Sequence, residues 1–133
     1  MPQLLSRQAF KEAVFKRQQN TCAFCDLPCV DAHHLIERKL WADGGYYLDN
    51  GVGVCEAHHW LLETTALSPR QAREACGINT VLLPPEFDPR LEYDKWGNII
   101  ISETKRLPGR LFHEASVQKV MKDVLHLFEE SQR

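Results

Sequence analysis

The feature that most constrains this chain is a pair of spacings. Cys22 and Cys25 stand in "CAFC", a C-x2-C step. Thirty residues after Cys25 comes Cys55, which stands with His58 in "CEAH", a C-x2-H step. Two soft ligands at x2 spacing converge on one ion from a tight turn, and two such pairs supply the four ligands of a tetrahedral zinc site. The stretch between the pairs is longer than in a simple finger, so it must hold folded elements of its own. An ion bridging the two ends closes that loop and supports a small domain with a limited core. Unrelated free thiols and one surface histidine would be the alternative, and it leaves the paired spacing unexplained. Cys29 is a rival to His58 for the fourth position, and the sequence leaves both open. Cys76, at the end of a predicted helix, reads as a plain buried thiol.

Composition narrows the class. A chain of 133 residues suits one domain, 1–133, with room for a modest core. The formal net charge is −2, so the whole chain does not read as a nucleic-acid binder; such a function needs a local basic patch or a bound cation. Five cysteines, an odd number, without an export signal argue for metal ligation over a disulfide framework. No apolar run approaches membrane-spanning length. The expectation is a soluble cytoplasmic protein with no membrane partner.

The segment "LLSRQAFKEAVFKRQQN" predicts an amphipathic helix capped by Ser6, with Phe10 and Val14 on its apolar stripe and Asn20 and Thr21 at its end. From Cys22 to about Cys55 the chain reads as short strands and turns, with "DAHHLIE" as a strand. Glu56 to Ala66 reads as helical. "SPRQAREACG" predicts a short helix with Ser68 as cap, Pro69 in the first turn, Gln71 completing a capping box and Gly77 as the stop. "LLPPEFDP" reads as a rigid extended connector, and "LEYDKWGNIIIS" as two short strands about a turn near Gly97 and Asn98. A closing helix from about Ser116 carries Val117, Val120, Met121, Val124, Leu125 and Phe128 at helical spacing. That stripe either covers the domain's own core or meets a partner.

With His58 assigned to the zinc, an ordered set of polar residues is left over: His33 and His34 in "DAHHLIER", Asn50 in "GGYYLDNGVGVC" and His59 in "CEAHH". In order and spacing, with "CAFC" and "CEAH" interleaved, this set resembles the HNH endonuclease family, the ββα-metal fold. The matching elements run from Cys22 to about Glu63, under a third of the chain, and everything after about Ala66 lies outside them. The fold implied is α+β: a small zinc-stabilised ββα-metal core at 20–66, an N-terminal helix, and a hairpin-plus-helix extension at 67–133.

The residue types suit the chemistry the resemblance implies. Hydrolysis of a phosphodiester needs charge neutralised on the phosphate and the leaving 3′-oxygen, and it needs a deprotonated water in line. A divalent metal does the first, and neutral imidazole does the second near pH 7. The resemblance implies His33 as first metal ligand, His34 as general base, Asn50 as the residue orienting the base or its loop, and His59 as second metal ligand. In some members the Asn position also binds metal. Glu63 lies one helical turn past His59, so both can face one ion. Adjacent strand residues point to opposite faces, so His33 and His34 share a site only where the strand twists or ends; Asp31 shares a face with His33 and is a rival ligand.

Arg38, directly after the doublet, is placed to reach a phosphate. Lys16, Arg17, Arg70, Arg73, Lys105, Arg106 and Arg110 add charge that a solvated face would explain equally well. Trp41, Tyr46 and Tyr47 either stack on bases or fill the core. The implied cofactors are a structural Zn2+ and one catalytic divalent ion, with Mg2+, Mn2+, Ni2+ and Zn2+ all open. The implied partner is nucleic acid, foremost DNA, cut to 5′-phosphate and 3′-hydroxyl ends. A protein partner or a homodimer through the extension is a further possibility. Two alternatives stand beside this: a non-catalytic zinc module that binds nucleic acid or protein, and a nuclease subunit of a larger defence or repair assembly.

Overall fold

The computed structural model describes residues 2–128. Those residues form a small α+β fold with four α-helices and two small antiparallel sheets. Helix α1 (Arg7–Arg17) starts at Ser6, whose hydroxyl accepts from the Ala9 N–H at 3.0 Å. It ends at Arg17, sooner than Asn20 and Thr21 would suggest, because Gln19 and Asn20 take positive φ values of 54° and 60° that no helix continues through. Phe10 and Val14 bury its inner face.

Strands β1 (Asp31–His34) and β2 (Gly51–Val54) pair antiparallel, with His33 opposite Val52 and His34 opposite Gly51. Helix α1 lies so close to β2 that a Cβ on Gly51 would come within 2.6 Å of Phe10 and 2.7 Å of Val14. Any side chain there would push the helix off the sheet. The Arg17 guanidinium completes the latch, donating to the carbonyls of Leu48 at 3.0 Å and Gly51 at 2.7 Å. Arg17 is thus an internal strut and no part of a basic surface.

Helix α2 (Glu56–Glu63) follows β2 directly and stops three residues before Ala66, where Thr65 takes a positive φ of 65°. Helix α3 (Pro69–Cys76) carries the expected capping box of Ser68 and Gln71 and ends in a left-handed Gly77. Val52, Val54, Leu62, Ala72 and Leu35 close the first core around the two cysteines Cys22 and Cys55.

The extension departs from a simple hairpin. Strands β3 (Glu92–Tyr93), β4 (Ile99–Ser102) and β5 (Lys105–Leu107) make a three-stranded meander. "LLPPEFDP" turns where its prolines predict extended backbone, with the Phe87 N–H donating to the Pro84 carbonyl at 3.0 Å. The closing helix is broken: α4 covers only Ala115–Val120, a turn follows, and a 3-10 turn spans Leu125–Phe128. Residues 129–133 of the expected extension lie outside the described residues. The apolar stripe covers the chain's own core. Val117 and Met121 are fully buried, and Val120, Val124, Leu125 and Phe128 pack around the same cluster. That second core joins Ile36, Leu40 and Trp41, which follow β1, to Tyr93 and Trp96 of the meander. Leu35 and Ile36 divide between the two cores, so the chain leaving β1 is gripped from both sides.

Candidate functional site

Two clusters of metal-ligating side chains flank the β1–β2 pair. The first is Cys22, Cys25, Cys55 and His58, whose ligand atoms all lie within 4.8 Å of one another. Cys25 Sγ and Cys55 Sγ are 3.7 Å apart, Cys22 Sγ and His58 Nδ1 are 3.7 Å apart, and Cys55 Sγ and His58 Nδ1 are 3.2 Å apart. A tetrahedral ion with metal–sulfur bonds of about 2.3 Å has edges of roughly 3.8 Å, so the donor set and its spacing fit one metal ion. Cys55 stands at the N-terminus of α2. The His58 backbone N–H aimed at its sulfur, with the neighbouring imidazole and thiols, draws the Cys55 thiol down to about 6. Cys25 moves the other way: Leu27's N–H favours its thiolate, but burial and the adjacent Cys22 and Cys55 hold its pKa above the ordinary thiol value.

The rivalry for the fourth ligand is resolved by the backbone path. Cys29 faces Gln18 and the backbone of Gly53, where a Cβ would meet its sulfur at 2.6 Å. It is no member of the cluster. Cys76 is half-buried and bonded to α1: its thiol donates to Gln18 Oε1 at 3.5 Å.

The second cluster lies in a groove of about 630 Å3 lined by His33, His34, His59 and Glu63 among others. Asp31, His33 and His59 place one ligand atom each within 4.8 Å of the others. Asp31 Oδ2 is 3.6 Å from His59 Nε2. Glu63 Oε1 is 3.9 Å from His59 Nε2 and 4.0 Å from His33 Nδ1, so the rival carboxylates are both at hand. His33 is 3% exposed, and its Nε2 has no hydrogen-bond partner among the described residues. A buried, unsatisfied imidazole nitrogen is costly, and a cation satisfies it. Burial first, then the charge of Lys95, holds the His33 pKa well below the ordinary 6.5, which keeps the ring in its neutral, ligating form.

His34 is the last residue of β1, and it borders the same groove as His33 because the strand ends there. Its Nε2 lies 3.0 Å from the Gly44 carbonyl. A carbonyl only accepts, so Nε2 carries the proton and Nδ1 is left with a free lone pair. Phe10 and Tyr46 flank the ring at centroid distances of 5.0 and 4.8 Å. Burial lowers its pKa below 6.5 against the opposing pull of the Gly44 carbonyl. Asn50 is fully buried, and its side chain hydrogen-bonds to neither histidine. Its side chain accepts from the Ile36 N–H at 3.1 Å and donates to the carbonyls of Ile36 at 3.3 Å and Gly45 at 3.0 Å. It therefore ties the loop that carries Gly44 to the chain leaving β1.

Most of the added positive charge is internal or paired. Arg106 donates to the fully buried Asp94 at 3.0 Å and to Thr65 at 2.8 Å. Arg70 pairs with Glu92, and Arg110 with Glu86. Trp41 fills the second core, and the Tyr47 hydroxyl donates to Asp43. Arg38 is exposed on the groove's edge. Sequence reasoning missed four further charged lining residues: Arg7 and Lys11, one turn apart on α1, and Glu37 and Lys95. Their role depends on the fold, and only the i,i+4 spacing of Arg7 and Lys11 is visible in the sequence. No helix among the described residues is long and apolar enough to cross a membrane. Comparison with models of known families, with curated proteins and with solved structures gives no match for the chain.

Proposed function

We propose that the chain is a metal-dependent endonuclease of the HNH type that hydrolyses phosphodiester bonds, with DNA as its substrate. One observation carries the reading. A neutral imidazole with a free Nδ1, held by a backbone carbonyl, borders the same groove as a carboxylate–histidine metal cluster. The Cys3His cluster is read as a structural zinc site, since its donors are soft and saturate a tetrahedron.

His33 and His59, with Asp31 or Glu63, would hold the catalytic divalent ion, which when bound neutralises charge on the phosphate and the leaving oxygen. His34 takes the proton of the attacking water at Nδ1. The Gly44 carbonyl fixes the tautomer, and Asn50 holds the same loop by donating to the next carbonyl, that of Gly45. Arg38, Arg7 and Lys11 line the groove's edge and supply local positive charge for flanking phosphates on a chain of net charge −2.

The test is cleavage of supercoiled plasmid, linear duplex and single-stranded RNA across a panel of divalent metals, with EDTA as the blank. Metal-dependent nicking of DNA is expected. His34→Ala should lower it by about 10^2- to 10^4-fold while bound zinc and circular dichroism stay unchanged. Equal cutting by His34→Ala sinks the assignment of the base, and no cutting by any metal sinks the nuclease reading.

A further inference from the structure

Lys95 is the buried group that the proposed chemistry leaves unused. It comes from the turn between β3 and β4, far outside the segment that carries the other site residues, and it is 5% exposed. The turn is rigid. The Asp94 carboxylate accepts from the backbone N–H groups of Trp96 and Asn98, each at 3.0 Å, and Gly97 takes a φ of 84° against Leu40. The Lys95 carbonyl accepts from the Glu37 N–H at 2.9 Å, and its ammonium donates to the Glu37 carboxylate at 2.8 Å. The ammonium also lies 4.3 Å from the Trp96 ring centroid, and the Trp96 indole donates to the Glu63 backbone carbonyl at 2.9 Å. The meander thus fixes one cation and one end of α2 together.

That cation reaches the edge of the metal cluster. Lys95 Nζ is 3.5 Å from Glu63 Oε1, the same oxygen that lies 3.9 Å from His59 and 4.0 Å from His33. One carboxylate oxygen therefore stands between an ammonium and two imidazoles. It cannot serve the ammonium and an ion on those imidazoles at full strength. Asp31, by contrast, has no lysine or arginine partner among the described residues and remains free for the ion.

We infer that Lys95 is a positioning residue that competes with the groove's divalent ion for Glu63, so that the extension sets the ion's affinity and leaves Asp31, His33 and His59 as its firm ligands. The inference rests on the metal site proposed above. Its sign is diagnostic. Loss of Lys95 removes a positive charge beside a cation site and releases a carboxylate, and both effects tighten metal binding. Mere damage to the site would loosen it.

The experiment is titration of the zinc-loaded full chain with Mn2+, followed by electron paramagnetic resonance in the absence of nucleic acid. Mn2+ suits the carboxylate–imidazole cluster and not the thiolates. Lys95→Met should bind Mn2+ about tenfold more tightly than the unmodified chain, as expected for removing one nearby charge. Lys95→Arg should stay close to the unmodified chain, and Lys95→Met with Glu63→Gln should lose the gain. If Lys95→Met fails to fold, Lys95→Met with Glu37→Gln removes the second stranded carboxylate and should keep the part of the tightening that comes from releasing Glu63. Equal or weaker binding by folded Lys95→Met, or by its Glu37→Gln companion where the single variant does not fold, overturns the inference, as does an unmodified chain that binds no Mn2+. A chain that behaves as expected with Mn2+ yet cuts nothing sinks the nuclease reading and leaves this inference standing.

Discussion

The two clusters share the β1–β2 pair and the first turn of α2, yet they are built to opposite plans. The Cys3His cluster is closed: four ligands within 4.8 Å of one another complete a tetrahedron, and two of them, Cys22 and Cys55, are buried in the first core. The Asp31–His33–His59 cluster is open. It has three ligands, with Glu63 held in reserve by Lys95, and a groove of about 630 Å3 lies in front of it. Closure suits an ion that holds a fold, and an open position suits an ion that handles substrate. His58 and His59 are neighbours on one helix turn, so a single step along the chain passes from one plan to the other.

The largest test of this contrast is removal of the closed site. Stripping zinc with a strong chelator, or Cys55→Ala, should unfold the β1–β2–α2 region, since structural zinc sites contribute on the order of 10 kcal/mol to folding. Circular dichroism and elemental analysis would show it. Chelation that leaves a folded, zinc-free chain breaks the contrast outright. His34→Ala should do the reverse, removing cleavage while leaving fold and zinc intact.

Much of the closed site is legible in the sequence, because x2 spacing is a local property. The choice between Cys29 and His58 is not. It turns on a backbone path that puts the Cys29 sulfur against Gln18 and Gly53. The open site is legible as a set of leftover histidines, with Glu63 one helical turn past His59 and Asp31 as a rival carboxylate. Its convergence needs β1 to end at His34, and no residue in "DAHHLIE" announces that end. Lys95 is invisible in the sequence, since its contacts with Glu37 and Glu63 are made across the fold. The C-terminal stripe is buried as its apolar spacing suggests, yet it is not one helix. Burial of Val117 and Met121 requires only the right faces, and a short helix, a turn and a 3-10 turn supply them. Strand β5, short and charged in "KRL", carries no pattern that marks a strand.

A smaller effect sharpens the electrostatic side. Burial holds both His33 and His34 below the ordinary 6.5, so the folded chain resists protonation that the unfolded chain accepts. Their contribution to stability is complete above about pH 6.5 and is lost as pH falls through that value toward the folded pKa values. The limiting slope is about 1.4 kcal/mol per pH unit for each group. Urea midpoints measured from pH 7 down to 5 should therefore fall, and His34→Gln, which keeps an amide donor for Gly44, should fall less steeply. Acid release of metal from the cysteine cluster does not depend on His34. An identical slope in the variant would remove His34 as a source and leave the acid sensitivity to His33 and the closed site.

The smallest expected effect concerns what the open groove faces. Arg7, Lys11 and Arg38 line it from two different elements, α1 and the turn after β1, and none of them is ion-paired among the described residues. Cations left unpaired beside a groove are free to release counterions from a phosphate backbone. Binding of a fluorescent duplex to His34→Ala, followed by anisotropy at several salt concentrations, reads this directly. Each of Arg7→Ala, Lys11→Ala and Arg38→Ala should weaken binding modestly and flatten the plot of log K against log salt by about 0.9 for every phosphate no longer neutralised. Arg70→Ala and Arg110→Ala, whose partners are Glu92 and Glu86, should leave that slope unchanged. If all five variants change the slope equally, the groove has no privileged edge, and the open cluster loses its claim to face the substrate.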